Sequence, residues 1–313
     1  MSDPTSRPIS FEREGLKLGA VTLLWLGMAG WLDRVGNALV PDDWKRHVAL
    51  QTFLMACQLT AAAAGLALSF ALLRHPREAL ALVAPRARDL ALAALLAPAV
   101  FVGAAAVALR IALPVLLAEA RARGPHASRE NAGAFGRALG EGSLLSTLLW
   151  GVVLAAVTEE LLFRGALFSL VERAVRGPLA ALPHASAART AGLAAAVGAA
   201  VVFALMHGDL GGGVGIVRVV STFCLGLACG VARHAARSVV APITVHLVHN
   251  TLALGQARGW FAGASPPLFE SLPLPDALLG LAALGVLLGA GGAALSVVLT
   301  RRAEQARALR LDP

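Results

Sequence analysis

The chain has 313 residues, of which 57% are hydrophobic and only 15% charged, whereas soluble domains carry about 45–50% apolar and roughly 25% charged residues. This composition excludes an ordinary cytosolic enzyme, a disordered protein and a disulfide-stapled secreted domain. The formal net charge is +8, but the basic residues are scattered between apolar runs, which is typical of membrane-protein loops. We therefore expect the lipid bilayer, and no nucleic acid, as a partner.

The apolar runs predict an all-α, polytopic membrane protein. A helix that crosses a bilayer needs about 20 mainly apolar residues, and eight runs approach that length with no strand-like alternation to compete. They lie near Leu16–Leu32, Val48–Leu73, Leu90–Leu117, Leu144–Val171, Ala191–His207, Val214–Ala232, Ser238–Leu254 and Ala277–Thr300. We predict a cytoplasmic segment at 1–15, a single transmembrane domain at 16–300 and a cytoplasmic tail at 301–313.

Loop charge predicts the orientation of these spans. With eight spans both termini share one side, and the loops of that side, with Arg233 and Arg237 among them, contain about twice as many basic residues as the opposite loops. An excess of Lys and Arg marks cytoplasmic loops, so both termini are predicted to lie in the cytoplasm. The first three spans and the outer loop Ala118–Glu141 contain no motif that indicates a role.

Three of the predicted spans contain charged or strongly polar residues. A charged group at the bilayer centre costs at least about 2.5–3.5 kcal/mol, so such residues are a functional hypothesis by default. They are Glu159, Glu160 and Arg164 in the fourth span, His207 at the end of the fifth, and His246 and Asn250 in the seventh.

Helix geometry sorts these residues. Glu160 and Arg164 are four residues apart and can pair on one face. Glu159 lies about 100° around the same helix, so it points elsewhere and is free to accept a proton. His246 and Asn250 are also four residues apart and share a face of the seventh span. These side chains could converge from three helices on one hydrated pocket.

The position of His207 along the fifth span decides whether it can join this pocket. If the fifth helix begins near Arg189, His207 lies about 27 Å along it, near the outer surface. Either the helix begins later and continues past the glycines at 211–213, or the pocket lies deep within a tilted bundle.

The residue types in this pocket suit the activation of water. A Glu surrounded by apolar groups is a useful general base near neutral pH, and His207 could share the proton of the water or hold it for attack. His246 and Asn250 could donate hydrogen bonds to the oxyanion that forms as a carbonyl becomes tetrahedral. The predicted reaction is peptide-bond hydrolysis by direct attack of water.

The three motifs together resemble the CPBP family, the CAAX prenyl-protease-like and bacteriocin-processing (Abi-type) intramembrane endopeptidases. In the order of the family they read Glu159-Glu160-x-x-x-Arg164, Phe203-x-x-x-His207 and His246-x-x-x-Asn250, within residues 144–254. The resemblance implies an eight-helix core. It also implies that Glu159 and His207 activate the catalytic water, that His246 and Asn250 form the oxyanion site, and that Glu160 and Arg164 support the motif helix.

The family has been described both as metalloproteases and as metal-independent glutamate proteases. We expect no cofactor, in part because of that resemblance. Zn²⁺ held by Glu159, His207 and His246 is the alternative, although the sequence lacks the His-Glu-x-x-His cassette.

The expected function is that of an intramembrane endopeptidase in the bacterial cell membrane, with a membrane-associated or lipid-modified peptide or protein as substrate. A proton-coupled transporter is one rival, but the sequence shows no internal repeat. A non-enzymatic immunity or scaffold protein is another. A scaffold has no need of Glu159, His207, His246 and Asn250 within lipid.

Overall fold

A computed structural model describes residues 7–39, 48–123, 144–179, 183–208 and 212–258. All regular secondary structure in these ranges is helical, which confirms the predicted all-α class. The helices are α1 (Arg7–Leu39), α2 (Val48–Leu72), the single turn α3 (Pro76–Ala79), α4 (Ala87–Arg123), α5 (144–176), α6 (His184–His207), α7 (Gly212–Ala236) and α8 (Val240–Ala257).

Seven of the eight predicted spans coincide with described helices, while the span at Ala277–Thr300 and the tail at 301–313 lie outside the described residues. Several of these helices extend beyond the predicted runs. Helix α1 already begins at Arg7, within the predicted N-terminal segment, and α4 continues to Arg123, within the predicted outer loop. Apolar runs therefore locate these helices well but underestimate their length.

Four described helical stretches are long and apolar enough to cross a membrane, and together they indicate an integral membrane protein. They are Arg13–Leu32, Ala87–Ala122, His184–His207 and Gly212–Ala236, and Ala56–Leu72 is a shorter apolar helix.

Helix α5 is not a uniform α-helix. Two π-helical segments, Leu148–Leu154 and Leu161–Leu167, flank the α-helical stretch Ala155–Glu160. A π-helical turn inserts a residue into the hydrogen-bond ladder and is found frequently at functional sites. The pair Glu159–Glu160 ends the short α-helical stretch, directly before the second π-helical segment.

Helices α6 and α7 approach closely because small residues line their contact. A methyl group added at Gly230 would lie 2.7 Å from Cβ of Ala196, and one at Gly226 would lie 3.1 Å from Cα of Ala200. Both alanines are fully buried. Small residues let helix backbones come together in this way, and the contact fixes α6 against α7 beside the buried part of α5.

Candidate active site

Glu160 and Arg164 form a fully buried ion pair on α5. Arg164 Nη1 donates to Glu160 Oε1 at 2.9 Å, and both side chains have 0% exposure. The two residues are four apart and pair on one face of the helix, and this pairing lowers the free-energy cost of burying each charge. This pair is held inside the helix bundle rather than at its lipid-facing surface.

Contacts from α6 and α7 fix the guanidinium of Arg164. Its Nη2 donates to the carbonyl of Gly226 at 2.9 Å, and its Cζ lies 4.6 Å from the ring centroid of Phe203. The close approach of α7 depends on the absence of a side chain at Gly226, because a Cβ there would lie 3.1 Å from Arg164 Nη2. The glycine therefore lets its own carbonyl reach the buried cation.

His246 joins this ion pair from α8. Its Nδ1 lies 2.8 Å from Glu160 Oε1, the same oxygen that accepts the bond from Arg164. A carboxylate oxygen accepts, so Nδ1 of His246 carries the hydrogen. The bond sets the tautomer and the orientation of the ring, and the opposite nitrogen, Nε2, faces Glu159.

Glu159 lies between two imidazoles. Its Oε2 is 3.4 Å from Nε2 of His207 and 3.8 Å from Nε2 of His246. Direct charge-assisted bonds of this kind are about 2.7–2.9 Å long, so these are looser contacts, and a water would bind beside the three atoms rather than between two of them. The Glu159 side chain retains 16% exposure, against 0% for Glu160, which gives the two neighbouring carboxylates different surroundings.

A backbone carbonyl of the same helix sets the tautomer of His207. Its Nδ1 lies 2.7 Å from the carbonyl of Phe203, and a carbonyl only accepts, so Nδ1 carries the hydrogen. In the neutral ring the lone pair of Nε2 then points at Glu159. His207 and His246 thus present the same nitrogen toward the same carboxylate oxygen.

Asn250 lies one turn further along α8 than His246. Its amide nitrogen Nδ2 donates to the carbonyl of Gly151 at 3.1 Å, within the first π-helical segment of α5. One of its two amide hydrogens is used in this bond. The structure therefore brings Glu159, His207 and His246 together, and it places Asn250 beside them as a link between α8 and α5.

The structure excludes one of the two alternatives for His207. Helix α6 begins at His184, earlier than the Arg189 assumed from the sequence, and it ends at His207 itself. The alternative in which the helix begins later and continues past the glycines is therefore wrong. His207 reaches Glu159 because it is the last residue of α6, where the chain leaves the helix through Gly208.

One polar residue beside the site was assigned wrongly from the sequence. Arg233 was expected in a cytoplasmic loop, because the apolar run of its span ends at Ala232. It lies instead within α7 with 6% exposure, and its Nε donates to the carbonyl of Arg164 at 3.2 Å. An arginine directly after an apolar run resembles a loop charge, so the sequence carries no signal that separates the two.

The fold and site together define a polytopic helical membrane protein with a Glu/His cluster gathered between three of its helices. Residues 141–252 match the family model described as Type II CAAX prenyl endopeptidase Rce1-like, a range that includes all three motifs. The resemblance to CAAX-type proteases is thereby confirmed, and the family implies a membrane peptidase. No curated protein and no solved structure matches the chain.

Proposed function

We propose that the protein is an intramembrane endopeptidase in which Glu159 and His207 activate a water for attack on a peptide carbonyl. One observation carries the proposal: Glu159 Oε2 faces Nε2 of both His207 and His246, at 3.4 and 3.8 Å. A water bound beside these atoms would be held by one carboxylate and two imidazoles. The family match supports a peptidase, and the position of Glu159 beside two imidazoles supports its role as the base.

In the proposed reaction Glu159 takes a proton from the water while the oxygen of the water attacks the carbonyl carbon of the substrate. The tetrahedral intermediate then collapses, the C–N bond breaks, and the proton passes from Glu159 or His207 to the departing amine. The products are a new carboxyl terminus and a new amino terminus. Peptide and water thus account for every atom, and the enzyme returns to its starting protonation state.

Hydrogen-bond donors for the oxyanion come from α8. The second amide hydrogen of Asn250 is one donor, since the first is used on Gly151. His246 donates from Nε2 only when both ring nitrogens carry hydrogens, because Nδ1 already donates to Glu160. Glu160 then plays the orienting part that a buried carboxylate plays in a catalytic triad, and Arg164 holds Glu160 in position.

A metal-dependent peptidase is the second candidate, because Glu, His and His are residue types that bind Zn²⁺, although no three such side chains in the described residues are arranged to hold a metal ion. Ligating histidines usually donate their other ring hydrogen to a carbonyl or carboxylate, as His207 and His246 do here. Glu159, His207 and His246 would hold the ion, which would lower the energy needed to ionise a bound water. We favour the metal-free form because Glu159 is itself placed to act as the base.

Cleavage by site variants tests the proposal. The assay uses the purified protein in lipid vesicles and a quenched fluorescent peptide ending in a farnesylated Cys-aliphatic-aliphatic-X sequence, the substrate type that the family description names. Glu159→Gln and His207→Ala should each lower kcat by about 10²–10⁴-fold, the usual contribution of acid–base catalysis. Both variants should still insert into the membrane.

Glu172→Gln is the matched control, because Glu172 lies on the same helix in a partly exposed pair with Arg176. It should cleave at the wild-type rate. Wild-type cleavage by Glu159→Gln would reject the proposed base. Rapid loss of activity with a chelator, restored by Zn²⁺ alone, would select the metal-dependent form, whereas activity that persists in chelator would support the metal-free form.

The natural substrate is proposed only as a class, namely a peptide or protein held at the membrane by its own sequence or by an attached lipid. Membrane and secreted peptides of a strain without this protein should differ from those of the parent strain by uncleaved precursors. Complementation with Glu159→Gln should leave those precursors uncleaved. Rescue by this variant would instead favour a scaffold function.

A further inference from the structure

The second π-helical segment of α5 leaves the carbonyl of Arg164 without its usual partner. In an α-helix the N–H of Phe168 would donate to the carbonyl of residue 164. Here it donates to the carbonyl of Phe163, one residue further back. The carbonyl that loses this donor belongs to the residue whose side chain holds Glu160.

Arg233 donates to this carbonyl from another helix. Its Nε lies 3.2 Å from the oxygen of Arg164, its Nη2 lies 3.5 Å from Oγ of Ser169, and its Cζ lies 5.2 Å from the ring centroid of Phe168. With 6% exposure, Arg233 is one of only two arginines buried in the described chain, the other being Arg164.

We propose that Arg233 is a positioning residue for the active site, and this inference rests on the proposed function. Its guanidinium bridges the π-helical segment Leu161–Leu167 and the following α-helical turn. It thereby fixes the backbone from which the side chain of Arg164 reaches Glu160.

The effect reaches the reacting groups through a continuous series of hydrogen bonds. Arg233 contacts the backbone of Arg164, the guanidinium of Arg164 donates to Glu160 Oε1, and the same oxygen holds Nδ1 of His246. His246 presents its Nε2 to Glu159. A small shift of the π-helical segment would therefore rotate His246 and displace the oxyanion donors and the water.

The test compares Arg233→Met, Arg233→Lys and Arg176→Met by peptide cleavage and by hydrogen–deuterium exchange in lipid nanodiscs. Arg233→Met should lower kcat by about 10²-fold, the scale on which a misplacement of about 1 Å acts, and leave KM unchanged. Amides at 161–169 should exchange faster. Arg233→Lys should restore part of both losses, since its ammonium can still donate to one carbonyl.

Arg176→Met is the control, because Arg176 lies on the same helix with 43% side-chain exposure and pairs with Glu172. It should change neither kcat nor the exchange at 161–169. Wild-type exchange and kcat in Arg233→Met would overturn the inference, as would equal effects in Arg176→Met. If the wild type cleaves no peptide, the proposed function fails, and the exchange at 161–169 still decides the role of Arg233. If Arg233→Met does not insert into the membrane, Arg233→Lys, which keeps a buried cation, replaces it in the comparison with the wild type.

Discussion

The ion pair between Glu160 and Arg164 provides a quantitative test of how the site is held together. Both side chains have 0% exposure and their charged atoms lie 2.9 Å apart. Removing one partner of such a pair leaves an uncompensated buried charge and costs about 3–5 kcal/mol of unfolding free energy. Glu160→Gln and Arg164→Met should therefore each destabilise the protein by that amount.

The double variant should be less destabilised than the sum of the two single variants. Replacing both partners removes both charges, so the penalty for a lone buried charge disappears. We expect a coupling energy of about 2–3 kcal/mol, near the upper end for residues in contact. Unfolding in mixed micelles with increasing sodium dodecyl sulfate, followed by Trp fluorescence, measures the four free energies.

The pair Glu172–Arg176 on the same helix is a matched control for this cycle. It has the same spacing and a separation of 3.2 Å, but its side chains are 23% and 43% exposed. An exposed pair of this spacing is worth about 0.3–0.5 kcal/mol. Equal coupling energies in the two cycles, or additive effects at Glu160 and Arg164 within about 0.5 kcal/mol, would refute the reasoning.

Two further variants test the packing around the site. Gly230→Ala should lower the free energy of unfolding by about 1–3 kcal/mol in the same assay, the usual penalty for overpacking, because its methyl group would lie 2.7 Å from Cβ of Ala196. Gly177→Ala is the control and should be neutral, because a methyl group there would have nothing within 4 Å. Equal effects of the two substitutions would contradict the close contact of α6 and α7. Glu119→Ala should destabilise the start of α7 by about 1–2 kcal/mol, because Glu119 Oε1 accepts the N–H of Gly213 at 3.0 Å as an N-terminal capping group does. Exchange of the first amides of α7 measures this effect, and unchanged exchange would show that the contact does not hold the helix.

The part of the site that depends on helical spacing could be predicted from the sequence. The separation of four residues between Glu160 and Arg164 predicts their pairing, and the rotation of about 100° between neighbours separates Glu159 from that pair. Apolar runs likewise located the described helices. These features follow from local geometry and from the thickness of the bilayer, so no tertiary information is needed.

Most of the features that could not be predicted depend on contacts between helices. The π-helical segments of α5 leave no periodicity that distinguishes them from an α-helix, and the contact of Arg233 with the second segment comes from another helix. The start of α6 at His184 is equally hidden, because polar residues precede its apolar run. The bond of Asn250 to Gly151 joins residues whose proximity only the folded bundle defines.

The origin of the oxygen in the new carboxyl terminus tests the central claim most directly. A single turnover in water labelled with ¹⁸O, run with and without hydroxylamine and followed by mass spectrometry of the peptide product and of the enzyme, distinguishes water attack from attack by Glu159 itself. Hydroxylamine would convert an acyl-enzyme into a peptide hydroxamate, which direct attack of water does not form. Activation of water by Glu159 predicts one ¹⁸O atom in every product molecule and none in Glu159. Unlabelled product together with ¹⁸O in the carboxyl group of Glu159 would contradict the account, because the carboxylate would then be the nucleophile.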